Sequence, residues 1–300
     1  MGIIYKALKK AEREAMHQKE KNNVQEVTSQ ADTYQVGPPP ASVKKATADK
    51  KPSSMKGKRY KVPYEKMRKK FSSSDKISEE LLILNQPHSF LSEQFRIFRT
   101  RYLSLNKDKS MRTILVTSAL AKEGKTMVAS NLAISIAQGF DEHVLLIDAD
   151  LRKPTLHERF TLKPNDGLVG FLNNEHRLTD VLQKTDLHNL TILPSGKPPE
   201  NPSKLIASAK MHQLVEDIKA RYEDRFIIFD SSPVQQTSEP TILAKQVDGI
   251  LLVVHAGKTD RELVKKTVGV LGKDKILGII FNHSSETIKY YYNYYYQPKK

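Results

Sequence analysis

The stretch "ILVTSALAKEGKTMVASNLA" (Ile114–Ala133) constrains the chain more than any other. An apolar run ends at Ser118, a short loop follows, and Gly124-Lys125-Thr126 opens a helix-length segment of small and apolar residues. A strand that passes through such a loop into a helix is the context a phosphate-binding loop requires. The first N–H groups of the helix have no partner within it, so they face an anion, and the helix dipole adds to the attraction. The pattern G-x-x-x-x-G-K-[ST] is met except at its first position, where Ala119 stands. Ala119, Leu120, Ala121, Lys122, Glu123, Gly124, Lys125, Thr126 and Met127 therefore make the candidate cofactor-binding loop. Lys125 would reach the β- and γ-phosphates of ATP, and Thr126 would ligate Mg²⁺.

Around this loop, strand-sized apolar runs alternate with helix-length amphipathic stretches. The runs are "TILVTS", "HVLLIDAD", "LTILPS", "RFIIFDSS", "GILLVVHA" and "ILGIIFN". Such alternation predicts an α/β fold, a doubly wound, mostly parallel sheet with helices on both faces. Ligands of open α/β sheets bind at the carboxyl ends of the strands. Asp148 and Asp150 fall there in "VLLIDADLRKP", where two carboxylates two residues apart suit metal ligation or a base. Asp230 falls there in "FIIFDSSPV", placed to hold Mg²⁺, often through water. Any one of these aspartates alone is a common turn cap. Lys125, then Asp148 and Asp150, then Asp230, each at a strand end, is a stronger signal than its parts. Asn282 closes the last run and could read an adenine edge, although asparagine often ends strands. His157 and His255 have no identifiable partner and read as structural.

Composition narrows the function classes. There is no cysteine, which excludes disulfides, thiol chemistry and thiolate metal sites. No apolar run approaches the roughly 20 residues of a membrane-spanning helix, and "MGIIYKALKK" lacks a signal-peptide core. The net charge is +15, and residues 1–76 hold 19 Lys and Arg against 8 Asp and Glu. Residues 1–17 read as an amphipathic helix carrying Ile4, Leu8, Ala11 and Ala15. Residues 18–76 read as a disordered basic linker, either a tether to an anionic partner or lipid or simply a solvated spacer. The folded domain is placed at 77–286 and a flexible tail at 287–300. Within the domain, Leu91, Phe95, Phe98 and Tyr102 form a helical stripe, with Glu93 and Arg96 opposite and Arg99 at the margin. On their own these charges read as a solvated face. The tail holds six of the twelve tyrosines, Tyr290, Tyr291, Tyr292, Tyr294, Tyr295 and Tyr296.

Together "ALAKEGKT", "LLIDADLR" and "IIFDSSP" resemble the bacterial tyrosine kinases that govern exopolysaccharide synthesis, P-loop proteins unrelated to eukaryotic protein kinases. The resemblance covers roughly residues 85–300, including "PSGKPPENPSKL". It implies a P-loop NTPase fold and an ATP- and Mg²⁺-dependent autokinase. Lys125, Asp148, Asp150 and Asp230 would be catalytic. Thr126, Asp148 and Asp230 would be metal ligands, Asp148 would activate the phenol, and Arg152 would join the cofactor site. Glu93, Arg96 and Arg99 match an E-x-x-R-x-x-R motif used in ring-like self-association, which displaces the solvated-face reading. The tail tyrosines become phosphoacceptors. Implied partners are other copies of the chain, a separate membrane activator of the chain-length-determinant type, other protein-tyrosine substrates and a cognate phosphatase, with no nucleic acid. The implied location is cytoplasmic, at the inner membrane face through the activator. The N-terminal helix and basic arm look like those of exosortase-associated members. Two features depart from the family: "LAKEG" stands where a Pro-Gly pair is usual, leaving Lys122 either near the phosphates or in solvent, and no transmembrane activator is part of the chain. A MinD/ParA-like ATPase acting as a spatial switch is the alternative. It normally carries a lysine at the position of Leu120, and it leaves the tyrosines without a role. A nucleic-acid or membrane adaptor built on the basic arm leaves the three aspartates unexplained.

Overall fold

The computed structural model describes residues 78–106, 111–139, 142–163, 165–221 and 225–284. The N-terminal arm and the tyrosine cluster lie outside these residues. All six apolar runs are strands. They are joined by a two-residue strand that has no apolar signature: β1 (Thr113–Ser118), β2 (His143–Asp148), β3 (Gln183–Lys184), β4 (Leu190–Leu193), β5 (Arg225–Asp230), β6 (Gly249–His255) and β7 (Ile276–Asn282). They form one sheet in the order β3-β4-β2-β5-β1-β6-β7. Every pairing is parallel except β3 with β4. The central strands are continuous apolar runs because both faces are covered: all six residues of β1 are buried, as are the last five of β2 and β5.

One face is covered by α1 (Leu82–Asn85), α2 (Phe90–Leu105), α3 (Lys125–Ala137) and α4 (Leu156–Arg159). The other is covered by α5 (Gly167–Leu172), α6 (Leu178–Val181), α7 (Pro202–Ile206), α8 (Ala209–Arg221), α9 (Glu239–Ala244) and α10 (Arg261–Leu271). Helix α3 carries the phosphate-loop sequence and is buried from Val128 to Ala137. A helix enclosed all round must be small and apolar, and Ala129, Ser130, Ala133, Ser135 and Ala137 supply that. Among the described residues no helix is long and apolar enough to cross a membrane.

The segment before β1 is fastened to α3 by polar side chains. Asn131, fully buried, accepts the Ile83 N–H at 3.1 Å and donates to Glu80 O at 2.8 Å and Met127 O at 2.9 Å. Ser135 Oγ donates to Phe95 O at 3.2 Å, and Arg99 Nη1 donates to Ser135 O at 2.7 Å. Helix α2 starts at Ser89, whose Oγ accepts the Ser92 N–H at 3.2 Å. Its apolar stripe differs from the expected one at one position: Phe95, Phe98 and Tyr102 pack inward with Leu103, while Leu91 is 45% exposed. Leu91 lies in the first turn of α2, ahead of the stretch that crosses α3.

Removing the Asn131 amide strands the Ile83 N–H and the Glu80 carbonyl. Asn131→Ala should therefore cost about 2–3 kcal/mol in urea unfolding, with the Ile83 amide becoming fast in hydrogen exchange. A loss below about 0.5 kcal/mol, the level of an ordinary surface substitution, would show that Asn131 is not what holds the segment.

Candidate active site

Because β1, β2, β5, β6 and β7 run in parallel, the loops at their carboxyl ends share one edge of the sheet. The loop 119–124 is shaped by Gly124, at φ 92°, where a Cβ would stand 2.1 Å from Asn282 Nδ2. No side chain fits there, and the left-handed φ suits glycine. Lys122 is also left-handed, at φ 64°, and is exposed. Glu123 sits in an anion-binding loop yet is buried, and its carboxylate turns away from the cradle. It accepts the Leu120 N–H at 2.8 Å, the His255 N–H at 3.2 Å and the Thr259 hydroxyl. Glu123 is thus a brace between the loop and the end of β6, a role its pattern position does not reveal. Asn282, expected at an adenine edge, instead donates from Nδ2 to Glu123 O at 2.9 Å. One of its two amide N–H donors is thus used on the loop, which makes Asn282 a second brace. Ala119 is buried, Leu120 and Ala121 are exposed, and Met127 packs half-buried on the core.

Strand register brings the acidic residues together. Asp148 and Asp230 are direct partners across β2 and β5, and Asp230 pairs with Val116 of β1, whose loop leads to Lys125. Asp150 lies beyond the strand end, where its Oδ2 meets Lys125 Nζ at 2.9 Å, with both side chains mostly buried. Asp148 is fully buried. Its Oδ2 accepts the Thr155 and Leu156 N–H groups, both at 3.1 Å, and its Oδ1 accepts the Asp150 N–H at 3.3 Å. Burial, with Asp230 alongside, pushes its carboxyl well above the usual range. Asp230 is 1% exposed, and neither carboxylate oxygen has a hydrogen-bond partner. Burial pushes it up to about 6, although Lys125, the nearby Thr126 hydroxyl and Arg159 pull it down. Burial would lower the Lys125 ammonium, but Asp230, Asp150 and Asp148 outweigh it and the net shift is upward.

A third group joins Arg152, expected in the cofactor site, to two residues that sequence reasoning missed, Ser203 and Glu239. Arg152 donates from Nε to Glu239 Oε1 at 3.0 Å, and its Nη2 meets the same oxygen at 3.0 Å. Ser203 Oγ donates to that oxygen at 3.0 Å and lies 3.4 Å from Arg152 Nη2. Ser203 is in "PENPSKL", while Glu239 had no motif to mark it. Glu93 pairs with Arg96 within α2 at 3.2 Å, and Arg99 is held by Ser135 O, so within one chain the three are not a single exposed set.

Asp230, whose two buried oxygens accept no hydrogen bond, keeps acceptor capacity that Lys125, itself paired with Asp150, does not fill. Thr126 adds a hydroxyl, and both are hard oxygen donors that fit Mg²⁺. Among the described residues no three His, Cys, Asp or Glu side chains are grouped to hold a metal alone.

An AAA domain family model matches residues 111–264. The tyrosine-protein kinase YwqD of Bacillus subtilis is 36% identical over 73% of this chain and 92% of its own length. The tyrosine-protein kinase CpsD of Streptococcus agalactiae serotype Ia is 34% identical over 66% of this chain and 85% of its own. Among solved structures, that of the chimerical protein CapA2B2 superposes with a TM-score of 0.62 at 32% identity, covering 68% of this chain and 89% of that one.

A carboxyl raised to about 6 keeps its proton in the folded chain at a pH where the unfolded chain, near 3.8, has lost it. The folded state then binds more protons, so this group's contribution falls as pH rises from about 4 to 6 and stays unfavourable above. Asp230→Asn removes the penalty and should stabilise the metal-free chain near neutral pH by on the order of 2 kcal/mol, a melting rise of roughly 4–8 °C. The same variant should abolish the further rise given by Mg²⁺ with ATP. Differential scanning calorimetry of both proteins checks this, and a melting temperature lowered by the substitution would contradict it.

Proposed function

The chain belongs to the family of bacterial tyrosine-protein kinases, and from that membership we propose that it transfers the γ-phosphate of ATP to tyrosine hydroxyls, its own cluster Tyr290–Tyr296 first. The observation that supports this reading most is the facing of Lys125 and the unpartnered Asp230 at the mouth of a glycine-shaped loop. That geometry supplies a cation for the phosphates and an anion for their metal. Mg²⁺, when bound by Thr126 and Asp230, would neutralise charge on the phosphates. The loop amides orient the nucleotide, and Lys125 stabilises the transferring group. The phenolic oxygen bonds to the γ-phosphorus as the bridging oxygen leaves with ADP.

The phenol, with a pKa near 10, must also lose its proton. Asp148 is the proton acceptor in this reading, since burial makes it more basic than an ordinary carboxylate. Its Oδ1 carries only one long bond, from Asp150 N–H. Because Asp148 is fully enclosed, the loop 149–155 must open for a phenol to reach it.

By the same reading the chain works on the cytoplasmic side beside a separate membrane activator of the chain-length-determinant type. It assembles with its own copies through α2, acts on other tyrosine proteins, is reset by a phosphatase and serves exopolysaccharide production. Each phosphate adds roughly −1.5 to −2 charges, so a loaded cluster would repel its neighbours and loosen an assembly. The spatial-switch alternative has Leu120 where its lysine should stand, and it gives the tyrosines nothing to do.

Incubation with Mg²⁺ and γ-labelled ATP, alone and with a candidate activator, should place label on the peptide 290–296. Lys125→Met should cut that label by about 10²-fold or more. Nucleotide hydrolysis with no labelled tyrosine under both conditions would instead support the switch. Light scattering of Arg96→Ala should show a smaller assembly than wild type. Arg96 is the suitable position because Arg99 also supports the fold through Ser135. An unchanged mass would remove α2 from the interface.

A further inference from the structure

The Arg152 group is unusual in its exposure. Glu239 is 2% exposed at its side chain, whereas Arg152 is 47% exposed. A buried carboxylate is used to fix a guanidinium that reaches into solvent; burial would raise the Glu239 carboxyl, but its hydrogen bonds and Arg152 outweigh it and hold it below the usual carboxylate range. The Nε–Nη2 edge of Arg152 is engaged, and its Nη1 makes no contact among the described residues. Arg152 is therefore pre-oriented with one pair of N–H donors free.

Its position says what those donors face. Arg152 follows β2, Ser203 follows β4 and Glu239 follows β5, and β5, β2 and β4 all lie on one side of β1 in the sheet. The loop braces Glu123 and Asn282 lie on the other side, with β6 and β7. In-line transfer puts the attacking and leaving oxygens on opposite sides of the phosphorus. In the kinase reading the phenol's proton acceptor is Asp148 at the end of β2, so the acceptor side is the flank that carries β2, with Arg152 four residues beyond Asp148. Lys125 is 16% exposed, while Arg152, beyond the end of the strand that carries Asp148, is 47% exposed. Its sequence neighbour Lys153 and Lys204, next to Ser203, are both exposed, with Glu200 a nearby opposing charge.

Resting on the kinase reading, we propose that Arg152, aimed by Glu239 and Ser203, is a phosphotyrosine-binding contact on the acceptor side of the site, so that one phosphorylated tyrosine of the cluster seats the next. Six tyrosines within seven residues guarantee a neighbour for any reacting one. In an extended chain, residues two apart share a face at roughly 7 Å spacing. A phosphotyrosine brings roughly −1.5 to −2 charges and strong acceptor oxygens, and a guanidinium binds such an anion about twice as strongly as a neutral acceptor. An unmodified phenol offers neither. Glu239 and Ser203 act through Arg152 and are positioning residues.

The test uses the full-length chain, treated with phosphatase and saturated with Mg²⁺ and a non-hydrolysable ATP analogue. Fluorescent peptides covering 286–297, unmodified or phosphorylated at Tyr294, are titrated and followed by anisotropy. The phosphorylated peptide should bind about tenfold tighter. Arg152→Ala should erase that preference, Glu239→Gln should reduce it, and Glu239→Asp should restore part of it. Arg152→Ala changes an exposed side chain, so the test does not depend on the Glu239 variants folding. Equal binding of the two peptides to wild type, or a preference that survives Arg152→Ala, overturns the proposal. So does a loss of affinity for the ATP analogue in Arg152→Ala as large as the loss of phosphopeptide binding, which would assign Arg152 to the nucleotide. Labelling of the tail by the same phosphatase-treated wild-type chain, given γ-labelled ATP in place of the analogue, alone and with the candidate activator, separates the two readings: label without peptide preference rejects this inference alone, and no label under either condition rejects the kinase reading.

Discussion

Two carboxylates, Asp148 and Asp230, stand directly opposite each other on neighbouring buried strands, and the rest of the site follows from how that repulsion is managed. Parallel pairing leaves no freedom here, because once β2 and β5 share their apolar register, their terminal aspartates must abut. The chain relieves the repulsion in part. Asp148 receives three backbone N–H groups, Lys125 pairs with Asp150, and Asp230 is left without a hydrogen bond. Burial thus raises both carboxyls, and a divalent cation bound with a polyphosphate is the natural remedy. The folded chain holds an electrostatic cost that a bound cation would relieve, an arrangement expected where stability yields to function.

The loop that must cradle the phosphates is held from behind. A flexible glycine loop on its own would lose entropy each time it gripped an anion. Here Glu123 and Asn282 fix it to the ends of β6 and β7 before any ligand arrives. Asn282 is also two residues from the end of the described chain, so the strand that braces the loop is the one that leads toward the tyrosines. On the other flank, Arg152, Ser203 and Glu239 tie together the loops after β2, β4 and β5. Preorganisation of this kind is how a site dominated by positioning and charge, as phosphoryl transfer is, acquires rate.

Much of this was legible in the sequence where one physical rule dominated. Continuous apolar runs gave six strands because strands buried on both faces tolerate nothing else, and the glycine–lysine–threonine loop announced itself through its strand–helix context. Strand ends likewise marked Asp148 and Asp230. Side-chain direction was not legible. Glu123 sits within the loop pattern, yet its carboxylate points away, and Asn282 gives one amide N–H to the loop. Leu91 fits the α2 period but is exposed in the first turn of the helix. The strand β3 has no periodicity in two residues, and Glu239 is one glutamate among many until the fold brings it to Arg152. Each of these depends on contacts between residues far apart in the chain, which no local pattern encodes.

The central claim is that Asp230 is held protonated to unusually high pH by burial and is released by the metal-bound nucleotide. A titration of isotope-labelled aspartate carboxylates by nuclear magnetic resonance measures it directly, with Asp230→Asn assigning the signal. The account predicts a midpoint near about 6 in the free chain, with the same carboxylate ionised throughout that range once Mg²⁺ and ADP are bound. A midpoint near the ordinary value of about 4 in the free chain would contradict it.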